Sequence, residues 1–116
     1  MENYKLKFAL LAGLVSMSFA AGNHVDRNGN VFISGEDNKV NGKQNVFNGN
    51  KNVVNGDSNL IFGDNNVVNG ESNFIKGGNN FVIGGQNFVT GSGNIIEDSH
   101  AFVMGDNEIR SSLGNE

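Results

Sequence analysis

The sequence has 116 residues, no cysteine, and 8 basic against 12 acidic side chains, which gives a net charge of −4. A chain of this length forms one domain at most. Its acidic balance excludes nucleic acid as a partner, because phosphate backbones bind clustered Lys and Arg.

The first 20 residues have the pattern of a secretory signal peptide. A short basic start precedes an apolar run over residues 8–15, and Ser18 and Ala20 suit positions −3 and −1 of a cleavage site. The run is shorter than the ~20 residues that span a bilayer, and no cysteine follows it to carry a lipid anchor. We therefore expect residues 1–20 to be removed. The mature chain, with no transmembrane span, is then secreted or displayed at the cell surface.

A seven-residue unit recurs through residues 31–105: Asn, apolar, apolar, variable, Gly, then two mostly polar residues. Residues 52–58 are one example of it. Residues 21–30 are polar and out of phase, so we expect an N-terminal cap or an irregular first coil there. Outside the fixed Asn and Gly, identities recur at a spacing of 14 more often than at 7 or 21, which indicates two units per coil.

The unit predicts strands and excludes a coiled coil. Its two apolar residues are adjacent rather than three and four apart, and each Gly costs about 1 kcal/mol in a helix. The apolar positions hold Val, Ile and Phe, which favour strands, while Gly and Asn tolerate the positive φ of a tight turn. We therefore predict an all-β fold, a parallel β-solenoid or β-roll of strand–turn units whose Asn side chains form ladders. A hairpin meander joined by the recurring Asn-Gly pairs is the alternative.

The alternation of side chains along a strand assigns the faces of the roll. The third position of the unit is apolar throughout and is predicted to face the core, whereas the second and the mixed fourth positions face outward. The second position is nonetheless apolar in nearly every unit, where a soluble monomer would carry polar residues. The predicted interface or binding stripe consists of Val46, Val53, Leu60, Val67, Phe74, Phe81, Phe88, Ile95 and Phe102.

The repeat weakens toward the C-terminus, where Asp98 replaces Gly and residues 106–116 form a decayed last unit. We interpret residues 106–116 as a C-terminal cap or tail. A small acidic site formed by Glu97, Asp98 and His100 is the alternative interpretation of the irregular turn.

No motif in the sequence predicts catalysis. His24 and His100 lack metal-ligand spacing, and no nucleophile, phosphate-binding or kinase motif occurs, so we expect no enzyme, no cofactor and no metal site. Turn carboxylates such as Asp57 and Asp64 offer oxygen ligands for Ca²⁺, but they lack the regular Asp of nine-residue calcium repeats and are interpreted as solvated. An ice-binding solenoid would present a regular Thr array, and Thr90 stands alone, which disfavours that function.

The glycine-per-seven pattern with two units per coil resembles the head repeats of YadA-like trimeric autotransporter adhesins. Those repeats read roughly as small or Asn, Ser, apolar, variable, apolar, Gly, and residues 58–63 and 72–77 are the matching stretches. The resemblance covers residues 31–105 and implies a left-handed parallel β-roll that trimerises side by side and acts in adhesion. The chain departs from that family because it shows no coiled-coil stalk and no C-terminal membrane barrel. The pattern is also similar to the Asn-Gly heptapeptide repeats of small secreted oomycete proteins.

The apolar stripe leads to the functional hypotheses. Contiguous exposed apolar surface usually marks an interface, so we expect a non-enzymatic repeat protein, secreted or at the cell surface, that acts in adhesion or self-assembly. A homo-oligomer would bury the stripe, and the resemblance favours a trimer. The first alternative is a module that binds a glycan or a host-surface protein, with Phe74, Phe88 and Phe102 as a stacking ladder. The second is a subunit of a functional-amyloid-like fibre that grows through open end coils.

Overall fold

The computed structural model describes residues 15–17 and 24–112, and within them the regular elements are fourteen short β-strands with no α-helix. The strands are Val15–Met17 (β1), His24–Val25 (β2), Val31–Phe32 (β3), Asn38–Asn41 (β4), Val46–Asn48 (β5), Val53–Asn55 (β6), Leu60–Phe62 (β7), Val67–Asn69 (β8), Phe74–Lys76 (β9), Phe81–Ile83 (β10), Phe88–Thr90 (β11), Ile95–Glu97 (β12), Phe102–Met104 (β13) and Ile109–Ser111 (β14). The predicted signal peptide lies outside the described residues except for β1, and the predicted cap is described only from residue 24 onward.

The strands form two seven-stranded sheets. Sheet A has the order β1-β4-β6-β8-β10-β12-β14, and sheet B has the order β2-β3-β5-β7-β9-β11-β13. From β6 onward each strand pairs in parallel with the strand 14 residues earlier, as Val54 does with Val40 and Val68 with Val54. The predicted parallel β-solenoid with two units per coil is therefore confirmed, and the hairpin meander is excluded. At the N-terminal edge, β1 and β2 run antiparallel to β4 and β3.

The third residue of each unit fills the space between the two sheets, as predicted from strand alternation. These core residues, each at most 4% exposed, are Phe32, Val40, Phe47, Val54, Ile61, Val68, Ile75, Val82, Val89, Ile96 and Val103. The rings of Phe32 and Phe47 stack with centroids 5.1 Å apart. Full burial of one such side chain contributes about 1.5–3 kcal/mol, but each strand supplies only one of them. The roll therefore has a thin core.

Two ladders of buried asparagine fix the register of the coils. One ladder contains Asn30, Asn45, Asn59, Asn73 and Asn87, and the other contains Asn38, Asn52, Asn66, Asn80 and Asn94, each at most 2% exposed. The Nδ2 of Asn66 donates to Asn52 Oδ1 at 3.0 Å and to the Gly77 carbonyl at 2.9 Å. Its Oδ1 accepts both the backbone N–H and the Nδ2 of Asn80. In the described part of the chain, every buried side-chain nitrogen and oxygen has a hydrogen-bond partner.

The unit glycines at positions 35 to 91 are needed because the following coil approaches them closely at the turn. The φ of Gly70 is 149°, which L side chains rarely adopt, and a Cβ built there would overlap the carbonyl oxygen of Gly84 in the next coil. The residue just before each ladder Asn is left-handed as well, with φ of 56° at Lys51 and 60° at Gln86. Each non-glycine residue in that region costs roughly 1–2 kcal/mol, so the contacts between coils as a whole must offset a repeated strain.

In several units the residue after the glycine completes the turn with a side-chain oxygen. Asp57 Oδ1 accepts the backbone N–H of Lys43 at 2.8 Å, and Asp64 Oδ1 accepts that of Asn50 at 2.7 Å. The Oδ1 of Asn50 accepts the N–H of Glu36 in the same way, and serine hydroxyls do so in later coils. Asp, Asn and Ser each supply this acceptor, so the position varies in sequence, and the hydrogen bond is interrupted where Gly78 and Gly85 occupy the position.

The C-terminal coil departs from the repeat at several positions. Ala101 and Glu108 take the next places in the two ladders, and each donates its backbone N–H to the preceding Asn at 2.8 Å. Arg110 is in register with the core residue of β12 but is exposed, and its Nε lies 3.9 Å from Asp98 Oδ2. A charge at a core position discourages another strand from pairing with this edge.

Replacing Gly70 by Ala should destabilise the roll by about 3 kcal/mol or more, because the methyl group overlaps the Gly84 carbonyl. Gly105→Ala is the matched control, since its φ is 148° but the nearest atom to a built Cβ is Glu108 Oε1 at 3.5 Å. Urea unfolding, monitored by circular dichroism, should show that the control lowers the free energy of unfolding by only about 1–2 kcal/mol, because its backbone conformation alone is strained. Equal losses at the two positions would contradict the close-approach explanation.

Asn66→Ala should lower the unfolding free energy by about 2–4 kcal/mol, because it removes the partners of the Gly77 carbonyl and of the Asn80 amide in a buried site. Asn87→Ala should cost less, because it orphans the Asp98 carbonyl and the backbone N–H of Ala101 but no side-chain amide. The comparison uses the same urea titration. Wild-type stability in Asn66→Ala would show that the ladder does not hold the coils together.

Candidate functional site

The predicted apolar stripe divides into two ladders on opposite faces of the roll. Consecutive units alternate between the sheets, so residues 14 apart come together and residues 7 apart are separated. Sheet A carries Val53, Val67, Phe81 and Ile95, and sheet B carries Val46, Leu60, Phe74, Phe88 and Phe102. Phe81 and Phe88, for example, are neighbours in the predicted stripe but lie on opposite faces.

Each face is built from the second and fourth positions of its units. The aromatic face is the outward surface of sheet B from β3 to β13 and consists of Val31, Ile33, Val46, Asn48, Leu60, Phe62, Phe74, Lys76, Phe88, Thr90, Phe102 and Met104. The valine–asparagine face is the outward surface of sheet A and consists of Lys39, Asn41, Val53, Asn55, Val67, Asn69, Phe81, Ile83, Ile95, Glu97, Ile109 and Ser111. Sequence reasoning treated the fourth position as mixed and missed Phe62 and Met104. Comparing only residues 14 apart would have found them.

Stacked phenylalanine rings dominate the aromatic face. The centroids of Phe74 and Phe88 are 4.9 Å apart with the rings 5° from parallel, and those of Phe88 and Phe102 are 5.0 Å apart at 7°. Phe62 packs against Phe74 at 6.1 Å and 57°. Exposure rises toward the C-terminal end, where Phe102 is 62% and Met104 66% exposed. Since in-register strands impose this stacking, each ring covers the face of its neighbour and mainly ring edges point outward.

Side-chain size increases along the second-position column of the aromatic face. The second positions read Val31, Val46, Leu60, Phe74, Phe88 and Phe102 from β3 to β13. The fourth positions read Ile33, Asn48, Phe62, Lys76, Thr90 and Met104, of which Ile33 directly follows β3 and the others lie in their strands. Lys76 is the one charged side chain among these twelve residues. The second-position column is therefore an apolar wedge, small at the β3 end and bulky at the β13 end, whereas the fourth-position column shows no such gradient.

The valine–asparagine face is more polar and contains a short regular array. Asn41 Nδ2 lies 3.3 Å from Asn55 Oδ1, and Asn55 Nδ2 lies 3.4 Å from Asn69 Oδ1, so these exposed amides form a third, outer ladder. Val53 and Val67 stand beside them, at 42% and 38% exposure. The two identical Val-Val-Asn strands, β6 and β8, thus present a small flat surface of alternating methyl groups and amides.

The acidic residues near the C-terminus do not converge on a metal site. Asp98 faces Arg110 and also accepts the backbone N–H of Ser99, while His100 takes the left-handed turn position with φ of 65°. Among the described residues, no group of three or more His, Cys, Asp or Glu side chains could hold a metal ion. The turn carboxylates Asp57 and Asp64 accept backbone N–H groups of neighbouring coils, which gives them a structural role.

Residues 15–17 and 24–112 include no helix that is long and apolar enough to cross a membrane.

Comparison with known proteins identifies the family of this roll. A protein-family model described as a grass antifreeze beta roll matches residues 16–114. No curated protein and no solved structure gives a match. The similarity to autotransporter heads and to oomycete repeats is not confirmed, although the β-roll architecture that it implied is. The match extends over most of the sequence, from within β1 to beyond β14. The chain therefore belongs to the grass antifreeze beta-roll family.

Proposed function

We propose that the chain is a non-enzymatic repeat protein, secreted or held at a cell surface, which works by self-association or adhesion through its aromatic face. The observation that carries this proposal is the unbroken apolar ladder on sheet B, which ends in the strongly exposed Phe102 and Met104. Large contiguous apolar patches on soluble proteins usually mark interaction surfaces. Lys76 is the single charged residue on this face, so removing water from the face requires the desolvation of only one charge.

The thin core gives a second reason to expect an interface. One buried side chain per strand leaves much of the apolar material of the chain on its outer surfaces. Covering an exposed Phe contributes about 1.5–3 kcal/mol at full burial, and the gain at Phe88 is smaller because it is only 36% exposed. Association through several such residues therefore adds stability that the roll alone does not obtain.

The stacked rings argue against sugar binding by this face. A sugar packs against an open aromatic ring face, whereas Phe74 and Phe88 cover each other and offer edges.

The end strands argue against fibre growth, because β2 runs antiparallel at one end and Arg110 stands at a core position at the other. A trimer rests on the autotransporter resemblance alone.

Phe88→Ser should weaken self-association, and Phe81→Ser should leave it nearly unchanged. The two side chains are matched in type and in exposure, at 36% and 40%, but lie on opposite faces. Light scattering of the purified chain over a range of concentrations gives the mass of each variant. Equal effects of the two substitutions, or a wild-type chain that is monomeric at every concentration, would overturn the proposal.

Ice binding is a second candidate function, favoured by membership of a family described as antifreeze. The isolated Thr90 lies on the aromatic face, so a threonine array is not the basis for this candidate. The flat array of β6 and β8 is the better surface, because Val53, Val67 and the Asn55 ladder repeat at a fixed strand spacing. A rigid, regular surface of small side chains is the kind that fits a crystalline partner.

If ice binding is the function, the purified chain should show thermal hysteresis, the gap between the freezing and melting temperatures of a seeded ice crystal. Val67→Lys should abolish the gap, because a long charged side chain then projects from the flat array. Thr90→Lys is the control on the opposite face and should keep it. Absence of hysteresis in the wild-type chain would remove this candidate, and loss in Thr90→Lys alone would place the surface on sheet B instead.

A further inference from the structure

From the gradient of side-chain size we infer that the aromatic face binds a second copy of this chain, face to face, with the two rolls running in opposite directions. This inference rests on the proposed self-association and adds its geometry. A two-fold axis parallel to the strands reverses the order of the strands while keeping second positions opposite second positions. Such an interface is self-complementary by symmetry.

The reversed order matches small side chains with large ones along the second-position column. The pairs between the two copies are Val31 with Phe102, Val46 with Phe88, and Leu60 with Phe74. Each pair therefore combines an aliphatic residue with a phenylalanine, and two wedges of opposite direction give a layer of nearly constant thickness. Close packing without voids is what makes such an interface stable.

The fourth-position column matches in chemistry as well as in size. The pairs are Ile33 with Met104, Asn48 with Thr90, and Phe62 with Lys76. Two apolar residues meet, an amide meets a hydroxyl that can hydrogen-bond to it, and the one charge of the face meets an aromatic ring. A lysine over a ring gains about 0.5–2 kcal/mol as a cation–π pair, so the Lys76 ammonium is not left uncompensated.

The other face-to-face arrangement fits less well. A two-fold axis along the roll keeps the strand order and exchanges the columns, so Val46 meets Asn48 and Phe88 meets Thr90. Both pairs place an apolar residue on a polar one. The bulky ends near β13 also meet each other, which opens a gap at the β3 ends. The reversed arrangement avoids both faults.

The area of the face predicts the strength of the dimer. Six strands at about 4.8 Å spacing give a length of about 24 Å, and a strand with its turns is roughly 20 Å wide. The two copies together then bury about 1,000 Å², the lower limit for a specific interface. We therefore expect a dimer whose population depends on concentration rather than an obligate one.

The decisive experiment is a size exchange between Val46 and Phe88. The residues lie three strand spacings apart in one roll, about 14 Å, which is too far for coupling within a chain. Val46→Phe and Phe88→Val should each weaken the dimer about tenfold in sedimentation equilibrium. The double variant should return to within about threefold of wild type.

Cross-linking tests the same arrangement independently, because the chain has no cysteine of its own. A mixture of an Asn48→Cys chain and a Thr90→Cys chain, treated with a short bismaleimide, should yield a covalent dimer of one chain of each kind. Either variant alone should cross-link poorly, since like residues are then three strand spacings apart along the roll. Efficient self-cross-linking of each variant would favour the arrangement with the axis along the roll and overturn the inference.

The outcomes separate this inference from the proposed function. A chain that stays monomeric at all concentrations overturns both. A dimer or trimer that Phe88→Val weakens, but in which the double variant shows only the sum of the two losses, overturns the reversed pairing and leaves self-association standing. Recovery in the double variant together with the mixed cross-link supports the pairing.

Discussion

The buried asparagine amide is the interaction on which the rest of the roll depends. An amide placed in an apolar interior without partners costs several kcal/mol, so each ladder Asn is tolerable only when the coils before and after it are in register. At Asn66 both sides of the amide are used, and one coil supplies the acceptor while the next supplies the donors. The ladder thus specifies alignment more than it adds net stability. The fixed alignment lets one core residue per strand suffice.

The same alignment builds the surfaces. The strands stack at a constant spacing, with equivalent positions of the unit above one another. A residue type that is favoured at the second or fourth position therefore forms a column of similar side chains along the roll. The stack of Phe74, Phe88 and Phe102 follows directly from this geometry. The outer amide ladder that begins at Asn41 and Asn55 has the same origin on the opposite face. A repeat protein of this kind therefore offers extended linear surfaces.

Most of the architecture could be predicted from the sequence, because the Asn and Gly of each unit have a direct physical meaning. The inward third position, the two-unit coil and the asparagine ladders all follow from period and residue type, and the structure shows each of them. The surface was harder to predict. The two faces are interleaved along the chain, so a single stripe in sequence joined Phe81 to Phe88 although they never share a face. The left-handed residue at Lys51 has no sequence signature, since stacking imposes its conformation.

The alternation of faces also governs how such a chain can change in length. A duplication of 14 residues inserts one complete coil and leaves every downstream side chain on its original sheet. A duplication of seven residues keeps the glycines, the ladders and the core intact, because each unit supplies all three. It nevertheless transfers all downstream residues to the opposite sheet, so that Phe88 and Phe102 would move to sheet A, which carries Val67. Insertion of a single unit therefore preserves the fold but disrupts the binding surface. A lineage that retains its binding surface should gain or lose units in pairs.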